Sequence, residues 1–130
     1  MMFEMKKKIL LVDDIKEFRS LLKILLSGKY DVVTARDGEQ ALDMINRGFS
    51  PDAIVTDLIM PRMDGYQLIT QIKRSDPHKN IPIIVLSNVD KPMKRQRLSP
   101  SEISEYLTKP FNTSELTEGL DRSLNKVLVN

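Results

Sequence analysis

Short apolar runs alternate with stretches of helical periodicity down the whole chain, and that alternation leaves few folds open. Lys8-Ile9-Leu10-Leu11-Val12 is an apolar run of the kind found in strands covered on both faces. Ile15, Phe18, Leu21, Leu22, Leu25 and Leu26 follow at helical spacing, and Gly28 is a natural stop. Tyr30 to Ala35 alternates as a second strand. Asp37, with Gln40 three residues on, offers a capping box for a helix running to about Arg47, before Gly48. Ala53 to Thr56 reads as a third strand, and Tyr66, Leu68, Ile69 and Ile72 as the face of a third helix. Ile81 to Leu86 is a fourth strand, with Pro82 at its start, where a missing N–H is tolerated. Glu105 to Thr108 is a short fifth strand. Asn112, with Glu115 three residues later, opens a last helix whose apolar face is Leu116, Leu120, Leu124, Val127 and Leu128. Five strands alternating with helices imply a parallel sheet with right-handed crossovers, a doubly wound α/β domain.

The bulk properties narrow the chemistry. The 130 residues fit one domain, and no repeat or linker divides them. With no Cys, the chain has no disulfide, thiolate metal site or Cys nucleophile, and it suits a reducing cytoplasm. Lys6, Lys7 and Lys8 precede only a four-residue apolar run, too short for a signal-peptide core, and no segment could span a bilayer. A net charge of +2 gives no argument for nucleic-acid binding, so the three lysines read as a solvated strand entrance. Neither a nucleic-acid nor a membrane partner is expected.

Doubly wound sheets gather their functional groups at the carboxyl ends of the strands. Here strand one ends in Asp13-Asp14, strand three in Asp57, strand four in Ser87 and strand five in Lys109-Pro110. Singly, each has a plain reading as a helix cap, a turn residue or a surface lysine. Together they put three carboxylates, a hydroxyl and an ammonium on one edge. Two carboxylates about 4 Å apart repel by roughly 4 kcal/mol at an effective dielectric of 20. One Lys cannot offset three of them, whereas a divalent cation can. Oxygen ligands without His or Cys suit Mg²⁺, which takes one or two carboxylates and keeps several waters. Such a site favours an incoming phosphoryl group, with Lys109 as a second positive charge and Ser87 as a hydrogen-bond donor. Asp57, at the end of an apolar strand and before the turn-forming Met60-Pro61-Arg62-Met63-Asp64-Gly65, can then act as a nucleophile that forms an acyl phosphate.

LVDD at 11–14, DLIMPRMDG at 57–65, LS at 86–87 and YLTKPF at 106–111, in this order and spacing, resemble the receiver domain of two-component response regulators, of the CheY-like single-domain kind. The resemblance covers residues 1–130, with a core from about Lys7 to Val127, and leaves no room for an output domain within the chain. It implies a flavodoxin-like five-stranded sheet in the order 2-1-3-4-5. Asp57 would be the phosphoacceptor. Asp14 and Asp57 would bind Mg²⁺ directly, with Asp13 largely through water and the Ile59 carbonyl as a further ligand. Lys109 would contact the phosphoryl group, followed by a cis bond to Pro110. Ser87 would move to the phosphoryl oxygens, with Tyr106 turning inward behind it as a rotamer switch. The donor would be a sensor histidine kinase or histidine phosphotransfer protein, since His78, the only His, lies in a loop-like SDPHKN. The protein would act as a switch and not as an enzyme, presenting the face of its fourth helix, fifth strand and fifth helix to a downstream partner.

Three departures from the family pattern stand out. Asn88 replaces a small residue, which could narrow access to Asp57. Ile59 and Val89 are apolar where rapidly dephosphorylating members carry polar groups, so slow self-hydrolysis is expected. In the segment 90–104, Pro92 is compatible with a first helical turn, but Pro100 ends the helix early, so the fourth helix should be short or irregular. That segment is basic, with Lys91, Lys94, Arg95 and Arg97, which suits a solvated face or an acidic partner. Two other functions compete. One is a phosphorylation-independent interaction module with the receiver fold. The other is an enzyme on a flavodoxin-like fold, disfavoured because Asp13-Asp14 would repel a flavin phosphate and Ile59 stands where an aspartyl phosphohydrolase needs a second acid.

Overall fold

A computed structural model describes residues 5–88 and 102–129, with side chains described as far as residue 125. The elements run β1 (Lys8–Val12), α1 (Lys16–Leu26), β2 (Asp31–Ala35), α2 (Gly38–Asn46), β3 (Ala53–Thr56), α3 (Gly65–Arg74), β4 (Ile83–Ser87), β5 (Glu105–Thr108) and α4 (Thr113–Val129). All the strands are parallel, in the order β2-β1-β3-β4-β5. This is the doubly wound, flavodoxin-like sheet expected from the sequence. The expected short fourth helix, with Val89, Lys91, Pro92, Lys94, Arg95, Arg97 and Pro100, lies outside the described residues, as do the side chains of Val127 and Leu128.

The continuous apolar strands are explained by a core on each side of the sheet. Leu10, Val12, Ile54 and Val85 pack with Leu68, Ile69 and Ile72 of α3 and Ala41 and Ile45 of α2. The alternate residues Ile9, Leu11, Val55, Ile84 and Leu86 pack with Leu22 and Leu26 of α1 and Leu116 and Leu120 of α4. Successive strand residues point to opposite faces, so burial on both sides requires apolar character at every position.

The structure corrects some boundaries and faces. β2 begins at Asp31 because the Tyr30 amide still donates to Leu26 O, closing the end of α1. Tyr30 is buried, and its hydroxyl donates to Asp121 Oδ1 at 2.8 Å. β4 runs from Ile83 to Ser87, later than expected, because the Ile81 amide is held by His78 O and Pro82 has no N–H to donate. In α1 only Leu22 and Leu26 are buried, whereas Leu21, Ile24 and Leu25, and Ile15 at the N-cap, are exposed. The capping at Asp37 is also only partly reciprocal. Its side chain accepts from the Gln40 amide, but Gln40 Oε1 accepts from the Arg36 amide instead. A complete capping box occurs at Asp64 and Gln67, opening α3, and Asn112 and Glu115 exchange the same pair of bonds ahead of α4.

Candidate functional site

Register brings the strand ends together. Val12 pairs with Thr56, so the next residues, Asp13 and Asp57, leave neighbouring strands at the same level. The Asp57 amide donates to Val12 O at 3.1 Å and the Asp13 amide to Ala35 O at 3.1 Å, extending the sheet by one step through both acids. On the other side, Ser87 pairs with Thr108, and the Lys109 amide donates to Ser87 O at 2.8 Å. The peptide bond from Lys109 to Pro110 is cis.

The side chains then converge. Lys109 Nζ donates to Asp13 Oδ2 and to Asp57 Oδ2, each at 3.2 Å. One carboxylate oxygen from each of Asp13, Asp14 and Asp57 lies within 4.8 Å of the other two. Asp13 is 1% exposed and Asp57 8%, while Asp14 faces solvent. Asp57 Oδ1 accepts from the Leu58 amide at 2.6 Å, with the Ile59 amide farther off at 3.4 Å. Asp13 Oδ1 accepts from the Ile15 amide at 2.9 Å, and its carbonyl accepts from the Arg19 guanidinium at 2.7 Å. Burial pushes the Asp13 carboxyl above its ordinary value, and the Asp57 charge adds to the rise. The Ile15 amide and the Lys109 ammonium act against it without cancelling it. Among the described residues the site therefore holds more negative charge than its one lysine balances. A cluster of hard oxygen donors in this condition fits a divalent cation such as Mg²⁺.

The other expected residues are placed as follows. Ser87 is fully buried at the end of β4, and Asn88 is exposed beside a cleft lined by Lys109, Pro110 and Phe111. Tyr106 is half-buried in β5 and packs against the core layer beneath α2 and α3. Ile59, in the loop after Asp57, has a side chain that is 55% exposed.

Three residues carry more of the site than the sequence suggested. A Cβ on Gly65 would lie 2.1 Å from the Asp57 carbonyl oxygen, so this glycine serves close approach to the acid as well as the turn. Arg19 holds the backbone of Asp13. Phe18, read only as an apolar helix position, places its ring under Lys109, 4.2 Å from Nζ to the centroid. Such contacts between elements leave no periodic trace in the sequence.

The family model described as response regulator receiver domain matches residues 9–121. The chain belongs to this family. Protein PilG of Pseudomonas aeruginosa is 38% identical to the receiver domain over 110 residues, 84% of this chain and 81% of that protein. Hybrid signal transduction histidine kinase D of Dictyostelium discoideum is 38% identical over 111 residues, 85% of this chain but 7% of that protein. The chemotaxis response regulator CheY4 of Vibrio cholerae superposes with a TM-score of 0.82 at 31% identity, over 92% of this chain and 99% of that one. The chain spans half or less of the length of several relatives it matches. It is a CheY-like receiver domain of two-component signalling, a family of phosphoacceptor signalling domains and not a classical enzyme family. Among the described residues no helix is long and apolar enough to cross a membrane.

Proposed function

We propose that Asp57 is the phosphoacceptor of a Mg²⁺-dependent switch. The observation that carries this reading is the convergence of Asp13, Asp14, Asp57 and Lys109 at one end of the sheet, with a single ammonium bridging two buried carboxylates. A carboxylate oxygen of Asp57 attacks the phosphorus of a phosphohistidine on a sensor histidine kinase or phosphotransfer protein. A P–O bond forms, the P–N bond breaks, and the imidazole leaves with the electron pair. Asp13, Asp14, Asp57 and the Ile59 carbonyl would hold Mg²⁺, which when bound supplies charge neutralisation to the transferring group. Lys109 exchanges a carboxylate partner for a phosphoryl oxygen. Ser87, at the adjoining strand end, donates to another, and Tyr106 follows it inward.

The output is binding. The face expected of the fourth helix with β5 and α4 would be offered to a downstream partner, and Lys91, Lys94, Arg95 and Arg97 of the sequence favour an acidic one. Phosphorylation adds up to about two negative charges. Shifting a switch from 1:99 to 99:1 requires about 5.5 kcal/mol of differential stabilisation. The cytoplasm, where phosphohistidine donors and Mg²⁺ meet, is the compartment this reading requires.

Intact-mass spectrometry after incubation with Mg²⁺ and acetyl phosphate tests the proposal, using the wild type and Asp57→Asn. A Mg²⁺-dependent gain of one phosphoryl group, absent in the variant, is expected. No gain, with beryllofluoride also failing to bind, would instead support a phosphorylation-independent interaction module, the reading favoured by Asn88 at the rim of the cleft.

A further inference from the structure

A lysine ammonium carries three N–H donors on a flexible four-carbon stem, so two hydrogen bonds alone do not fix its position. Lys109 makes two such bonds, to Asp13 Oδ2 and Asp57 Oδ2. Its third contact is aromatic: Nζ lies over the Phe18 ring, 4.2 Å from the centroid, within the range of a cation–π interaction. The ring is braced in turn. Phe111, two residues beyond Lys109, meets Phe18 edge-on, with centroids 6.3 Å apart and planes at 85°, a preferred aromatic geometry. Lys109 is only 14% exposed, so the interaction works where water screens it weakly.

These three contacts differ in what phosphorylation does to them. Phosphorylation converts the Asp57 carboxylate into an acyl phosphate, and the phosphoryl oxygens then compete for the ammonium. The aromatic face keeps its charge distribution throughout. It is the part of the Lys109 seat that is the same before and after transfer.

We propose that Phe18 is a positioning residue for phosphoryl uptake, its π face holding the Lys109 ammonium where the incoming group must meet it. The inference rests on the phosphoacceptor reading of Asp57. The plainer role for Phe18 is to fill the edge of the core under α1, and the two roles are separable. Fluorination withdraws charge from the ring face while changing its volume little, so a positioning role is sensitive to it and a packing role is not.

The test places Leu, Tyr, and mono-, di- and trifluorinated phenylalanine at position 18 in the full chain. Two readouts are taken: the rate of Mg²⁺-dependent uptake from acetyl phosphate, and the NMR shift of the Lys109 ε protons before any donor is added, assigned with Lys109→Arg. The ε protons should lie upfield in the wild type and return toward the free-lysine position in Phe18→Leu. Uptake should fall step by step with fluorination, to roughly tenfold below wild type for the trifluorinated ring and for Phe18→Leu. Phe18→Tyr should stay within about twofold of wild type, because its ring retains the interaction. A flat fluorination series beside a slow Phe18→Leu would assign Phe18 to packing and overturn the proposal, as would unshifted ε protons in the wild type. No uptake by the wild type, with the shift present, overturns the phosphoacceptor reading and leaves the seating of Lys109 established.

Discussion

Gly65→Ala is the sharpest local perturbation the structure offers. The added Cβ would lie 2.1 Å from the Asp57 carbonyl oxygen, 2.8 Å from Leu58 Cα and 3.0 Å from the Asp57 carbonyl carbon. All three are backbone atoms, so no side-chain rotation relieves the contact. Against an ordinary contact of 3.4 Å the shortfall is 1.3 Å, and either Asp57–Leu58 or the first turn of α3 must move to make it up. Overpacking of this kind costs about 1–3 kcal/mol. The bond from the Gly65 amide to Leu58 O, now 2.9 Å, would be weakened or lost, at a further cost of about 1 kcal/mol. Alanine recovers up to about 1 kcal/mol of helix propensity over glycine. The net expectation is a destabilisation of about 2 kcal/mol, seen as a lower urea midpoint at unchanged slope. Function should suffer more than stability. A displacement on the order of 1 Å at a reacting group can cost about 100-fold in rate, so phosphorylation by acetyl phosphate should fall by about that factor where the variant is still folded. Gly119→Ala is the control, because its Cβ would meet nothing closer than Glu105 Cγ at 3.5 Å and should stabilise α4 by up to about 1 kcal/mol. A Gly65→Ala protein that unfolds at the wild-type urea concentration, or accepts phosphate at the wild-type rate, would refute the close-approach argument.

Lys109→Met should destabilise the protein by roughly 3 kcal/mol without Mg²⁺, because it leaves Asp13 and Asp57 unbalanced. Urea melts with and without Mg²⁺ should show a larger stabilising effect of the ion in the variant than in the wild type. Asp121 is held below the ordinary carboxylate range by hydrogen bonds from Lys29 first and Tyr30 second. Its folded pKa is depressed, so its contribution is present above the unfolded value near 3.9 and is lost as pH falls through the lower folded value. The stability gap between wild type and Asp121→Asn, no more than about 1 kcal/mol for so exposed a pair, should therefore be seen in melts at pH 7 and should close as pH falls through the depressed folded value. The phosphoryl group should persist well beyond seconds, since the exposed Ile59 offers nothing to hold an attacking water. Ile59→Asn should shorten the half-life measured by intact mass, and a wild-type half-life of seconds would count against this account.

The fold was legible because burial on both faces of a parallel sheet leaves continuous apolar runs that few other arrangements explain. Where the reading slipped, a single tertiary contact outweighed local pattern. Tyr30 continues the alternation of β2, yet its amide closes α1 and its hydroxyl reaches across to Asp121. The apolar residues of α1 follow helical spacing, but the buried stripe is narrower than the apolar one, and Leu21 and Leu25 remain outside it. Helical periodicity marks which residues could share a face, whereas the neighbouring elements determine how much of that face is covered.

The candidate site was legible for a different reason. Charged groups ending apolar strands are conspicuous, and parallel register brings consecutive strand ends to one level without any information beyond the strand order. What escaped were the residues that act through geometry. Gly65 looks like any turn glycine until its distance to the Asp57 carbonyl is known, and Phe18 looks like any apolar helix residue until Lys109 lies over it. The charge imbalance connects these two classes of residue. Among the described residues, three carboxylates against one lysine would by themselves repel a phosphoryl group, and burial, which raises the Asp13 carboxyl, leaves that charge poorly solvated. Such a site accepts more negative charge only if its cations are held close to where that charge arrives. A small error in the position of Lys109 or of the Asp57 loop should therefore cost far more here than in a site whose charges cancel.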